Sequence, residues 1–249
     1  MKNVQEVSHI KNIAAFERLI AYCNSYGAKY NPSAEALKIA NLETKLSKSK
    51  KANEDSDDID VVKDNSTNSR VILFKDLPQF CTRIVNALDA TPASAEVVLD
   101  ARHYQKLLQG KRITPLPEKP AAAAGTATEE KSRTREISQK SFDKKLEHFR
   151  RLITIVSLEP HYKPNEEDIT VPALNKKYDT LEMANTIVIN AEVEQKNLEI
   201  RRDDEMYEKP DGLVPVALDA KLYIKSIFGA NSPEFKQVNA LRFRNLRRK

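Results

Sequence analysis

Tyr30-Asn31-Pro32-Ser33-Ala34-Glu35 returns as Tyr162-Lys163-Pro164-Asn165-Glu166-Glu167. The match runs on without a gap. Leu37 falls on Ile169, Ile39 on Val171, Leu42 on Leu174, Lys45 on Lys177 and Leu46 on Tyr178, and Ala52-Asn53 falls on Ala184-Asn185. Upstream, Phe16-x-x-Leu19-Ile20 matches Phe149-x-x-Leu152-Ile153, with one residue deleted in the connecting turn. Downstream, Thr91-Pro92 followed by Val97 matches Ser232-Pro233 followed by Val238. The chain reads as one unit written twice.

The composition says what kind of unit. The 249 residues suffice for one large domain or two small ones. With 40% apolar and 31% charged residues, the chain suits a soluble globular protein with a modest core. Five glycines are few for an all-β protein, whose tight turns need them. Ala, Leu, Lys, Glu, Gln and Arg are frequent and favour helix. The expected fold is therefore all-α with an internal duplication. Two tandem four-helix up-and-down bundle units, 1–112 and 136–249, are expected, joined by a Pro/Ala-rich linker at 113–135; the long helix of the second half leaves open the rival of one continuous helical array in which the halves share a core.

Periodicity places the helices. Ile13, Phe16, Ile20 and Cys23 form one stripe of a helix from His9 to Tyr26, ended by Gly27. A second helix is expected after Pro32, with Ser33 as its N-cap and Glu35 in its first turn. Residues 47–69 are rich in Lys, Asp, Ser and Asn and poor in apolar side chains, which predicts a mobile loop. A third helix spans Arg70 to Leu88, with a kink or a start at Pro78. A fourth is capped by Thr91 and ends at Gly110. The second unit repeats this order: a helix from Ser138 to Leu158, an Asn165 cap, a break at Pro172, a long helix from Ala173 to Met206, and a turn at Pro210-Asp211-Gly212. Helices from Leu213 to Phe228 and from Ser232-Pro233 onward complete it. Leu174, Leu181, Ala184, Val188, Ala191 and Leu198 give the long helix a heptad-like stripe.

Charge singles out the C-terminal end. The chain carries 41 basic and 36 acidic residues. Arg242, Arg244, Arg247, Arg248 and Lys249 account for the whole excess. Such a cluster, with Phe243 interleaved, is a candidate nucleic-acid contact. It also reads as a helix end using cations against the dipole. The repeated Tyr30, Pro32 and Tyr162, Pro164 pairs form a candidate binding notch, or else a mechanical device in which Tyr packs over helix ends while Pro stiffens the turn.

Motifs of catalysis are missing. His9, His103, His148 and His161 have no pair at i, i+3 or i+4. No Gly-rich phosphate loop, nucleophile elbow or dinucleotide fingerprint occurs. Cys23 and Cys81 sit among apolar neighbours and read as core residues. No cofactor, metal or catalytic residue is expected. The N-terminus lacks a stretch of signal-peptide length, and no apolar run approaches a membrane span, so a cytoplasmic, non-membrane protein is expected. The functional expectation is a non-enzymatic scaffold. Its partner surface, for a protein, would be the exposed face of the long helix of the second unit or the groove between bundles. The alternative is a nucleic-acid-associated protein using the basic tail.

Overall fold

The computed structural model describes residues 8–110 and 141–247; the expected linker at 113–135 lies outside them. Every regular element among the described residues is helical. In chain order these are α1 His9–Ser25, α2 Ile39–Lys75, α3 Leu77–Asp89, α4 Ala95–Leu108, α5 Phe142–Leu158, α6 Val171–Tyr207, α7 Leu213–Phe228 and α8 Pro233–Ala240. Short 3₁₀ turns at Glu35–Leu37 and Glu167–Ile169 precede the two long helices.

Local chemistry explains most boundaries. Ser8, Ser94, Ser141 and Ser232 cap their helices by accepting a hydrogen bond from the backbone N–H three residues on. Gly27, at φ +55°, turns the chain after α1. Pro78 and Pro172 each occupy the second position of a helix, where a missing N–H costs nothing. The expected break at Pro172 is therefore a helix start.

Three expected caps are corrected. Ser33 and Asn165 precede the 3₁₀ turns and cap nothing. The long helices start only at Ile39 and Val171, after the extended Lys38 and Thr170. Thr91 does not cap α4. Its hydroxyl donates to the Leu88 carbonyl at 2.6 Å and accepts from the Ala93 N–H, which finishes the end of α3.

The larger correction concerns residues 47–69, expected as a mobile loop. They are helical throughout, inside α2. Leu42, Ser49, Asn53 and Ser56 are buried along one face, at the alternating spacing of a heptad stripe. The buried positions carry small polar side chains, so the stripe is real but has no hydrophobic signature. Ser56 accepts a hydrogen bond from Arg202 Nη1 at 3.1 Å, and Asn53 donates to Asp57 at 2.8 Å, so both polar groups are partnered.

Packing divides the chain into two compact units, and they do not coincide with 1–112 and 136–249. The first contains 8–64 and 190–247; the second contains 65–110 and 141–189. Each therefore takes helices from both halves of the chain. In the first, Phe16, Leu19 and Leu42 share a core with Leu213, Ala217 and Ile224. In the second, Leu77, Ile84 and Leu88 share a core with Phe149, Leu152 and Leu174. Each fully buried Leu, Ile or Phe among these contributes about 1.5–3 kcal/mol.

Candidate functional site

The Tyr-x-Pro turns are built from the inside out. In the first unit the Tyr30 ring is buried and stands edge-on to Tyr223, with centroids 5.4 Å apart. Its hydroxyl donates to the Leu37 carbonyl at 2.9 Å. In the second unit Tyr162 is buried and donates to the Ile169 carbonyl at 2.8 Å. Burial pushes both phenols up, Tyr162 to about 12, so each stays a neutral donor. Pro32 is buried and Pro164 half-buried. These residues fill the corner between a turn and a long helix. Both hydroxyls are spent on the fold.

The C-terminal residues lie along the first unit. Arg244 N–H donates to Asn12 Oδ1 at 3.1 Å, and Asn12 Nδ2 donates back to the Arg244 carbonyl at 2.8 Å. Asn12 is buried, so the chain here is locked by a reciprocal pair of hydrogen bonds. Phe243 and Leu246 pack on the core of this unit. Arg247 reaches Asp204 at 2.7 Å and also pairs with Glu208, whose hydrogen bond holds the guanidinium above its ordinary pKa. One of the five cations is thus already neutralised; Arg248 and Lys249 lie outside the described residues.

A polar groove with about 380 Å³ of free space lies between α5 and the start of α6 in the second unit. Arg150, Asn175, Tyr178, Asp179 and Glu182 line it. Tyr178 donates to Glu182 at 3.0 Å, and burial followed by that bond raises the phenol's pKa. In the first unit a groove along α2 is lined by Glu43, Leu46, Ser47 and Lys50, each 132 positions before a lining residue of the other. There Lys50 pairs with Glu17 at 2.9 Å. Across the sequence match the charges are exchanged, with Glu17 opposite Arg150 and Lys50 opposite Glu182.

Among the described residues no group of three His, Cys, Asp or Glu side chains is placed to hold a metal ion. Cys23 and Cys81 are buried thiols, pushed by burial to about 11 and about 12. Thiolates are the reactive form, so these positions suit packing. Among the described residues no helix is long and apolar enough to cross a membrane.

Large apolar side chains are exposed on α6. In the second unit Met183 and Ile187, four residues apart, are 65% and 49% exposed. In the first, Val193 and Ile200, seven apart, are 56% and 57% exposed. Spacings of four and seven put each pair on one helix face. The heptad stripe read from the sequence is the buried face of this helix; the exposed pairs have no sequence mark of their own, because exposure depends on which face the core takes.

No family model matches the chain, and no similar curated protein or solved structure is found for it.

Proposed function

We propose that this protein is a non-enzymatic helical scaffold made by internal duplication, and that it binds a partner protein along α6. The duplication is supported by helix geometry. The long helices are both 37 residues, and they start 132 positions apart, as do the 3₁₀ turns before them. Tyr30 and Tyr162 make the same hydrogen bond at the same offset. Arg70 and Arg202 are also 132 apart. Each bonds a buried polar residue of the other long helix, Arg70 to Asn185 at 2.9 Å and Arg202 to Ser56 at 3.1 Å.

The single observation that carries the binding role is the exposure of paired large apolar side chains on α6. Singly scattered apolar residues need no explanation, but pairs in register along one helix face suit an amphipathic helix laid alongside. The test is capture from native lysate by the intact protein, compared with the double variant Val193→Glu/Ile200→Glu, with and without nuclease. A protein partner retained after nuclease and lost with the variant, at unchanged helicity, supports the reading. Capture that disappears with nuclease supports the nucleic-acid alternative instead.

A further inference from the structure

Each half of the chain is incomplete where the other begins. In the first unit α1 and the start of α2 bring Phe16, Leu19 and Leu42, but the opposing wall of that core is Leu213, Ala217 and Ile224 on α7. In the second unit α3 supplies Leu77, Ile84 and Leu88, and the opposing side chains come from α5 and α6. Each core is thus built from both halves.

Polar contacts follow the same exchange. In the first unit Asn12 bonds Arg244, the Tyr26 hydroxyl donates to the Glu234 carbonyl at 3.3 Å, and the Asn31 N–H donates to the Tyr223 hydroxyl at 3.2 Å. In the second, Arg83 forks onto both oxygens of Asp168 at 2.6 and 3.1 Å, and Phe74 stands edge-on to Phe142. Every one of these joins a residue before position 111 to a residue after position 140.

We infer that the two halves of the chain are each other's binding partner: 8–110 and 141–247 each present two apolar faces, one per unit, that the other half covers. The protein is held together by these interfaces and not by the residues that connect the halves. Isolated helices are marginal in water, and their stability comes from the face they bury. A half removed from its complement would expose both faces at once. This inference goes beyond the scaffold reading and does not depend on it.

The test cuts the intact folded protein. A protease recognition sequence is inserted between Ala121 and Ala124, and wild-type helicity of the uncut variant is confirmed first. After cleavage, the two fragments are expected to run together as one species near the uncut mass of 28.2 kDa, with helicity retained. The denaturation midpoint of the cut protein should rise with protein concentration, because unfolding has become dissociation. The uncut protein should show no such dependence. Fragments that part under native conditions, helicity lost on cutting, or a midpoint independent of concentration overturns the inference. Tandem domains, each folding within its own half, would give two separate folded fragments.

Discussion

The hydroxyl of Tyr30 donates to the carbonyl of Leu37, seven residues along the chain, at 2.9 Å. The Leu37 carbonyl lies in the turn that ends just before α2, so this bond fixes where the long helix begins. Tyr162 repeats it on Ile169 before α6.

Removing either hydroxyl while keeping the ring isolates that bond. Tyr30→Phe and Tyr162→Phe should each cost about 1–3 kcal/mol, the penalty of leaving a buried carbonyl unpaired. The two sites lie in different units and share no partner, so the double variant should show the sum within about 0.5 kcal/mol. Urea denaturation of the four proteins measures this. A Tyr162 variant with wild-type stability would show that the repeated turn is not a stabilising device.

Gly212 and Gly27 should respond to alanine for different reasons. A Cβ on Gly212 would sit 2.7 Å from the Glu208 carbonyl oxygen and 2.9 Å from the Tyr207 carbonyl carbon, both backbone atoms that cannot swing away. Gly212→Ala should cost about 1–3 kcal/mol as an overpacking change. Gly27→Ala meets open space, and its cost is set by φ +55° alone, about 1–2 kcal/mol. A crystal structure of Gly212→Ala should show the start of α7 displaced, whereas Gly27→Ala should leave the backbone in place.

Acid should weaken the second unit through His148. This imidazole is 7% exposed, and burial holds its pKa below the ordinary value. Glu147 pulls upward against this, while Lys144 and His103 push further down. A depressed folded-state pKa means the unfolded chain takes up the proton first. The neutral form's contribution is complete above the unfolded value of about 6.5 and is lost as pH falls below it. Stability measured from pH 7.5 to pH 5 should decline, and His148→Gln should flatten the decline. Equal slopes for both proteins would remove His148 from the account.

The C-terminal residues should matter for folding more than for charge. Arg247→Ala breaks exposed, solvent-screened ion pairs and should leave the denaturation midpoint close to that of the wild type. Asn12→Ala unpairs the backbone of Arg244 in a buried setting and should cost about 1–3 kcal/mol. Fluorescence anisotropy with mixed-sequence DNA and RNA should give binding no tighter than about 10⁻⁴–10⁻⁶ M at physiological salt. A nanomolar, sequence-selective complex would displace the scaffold reading.

Both thiols should be silent until the chain unfolds. Cys23 and Cys81, raised to about 11 and about 12, hold almost no thiolate at pH 8. A chromogenic disulfide reagent should report no free thiol in the native protein and two per chain in denaturant. Rapid reaction of either cysteine in the native state would mean that its core opens.

What the sequence determined is local. The stripe Ile13, Phe16, Ile20, Cys23 predicts α1, and the run from Leu213 to Phe228 predicts α7 to the residue, because helix period and turn chemistry act over a few neighbours. The pairing of Tyr30 with Tyr162 was legible as repetition, though not the bond that each tyrosine makes. The paired apolar residues on α6 stand in the sequence too, but their exposure depends on which face the core takes. Tertiary structure decided that 47–69 is helix. There Ser49, Asn53 and Ser56 fill the buried positions, where small polar side chains stand in place of leucines and Arg202, far along the chain, partners Ser56. It also decided which helices share a core. An apolar stripe records that a face is buried, since removal from water depends on area alone. It carries no mark of the surface that buries it, and so the exchange of helices between the halves of this chain had no signature in either half.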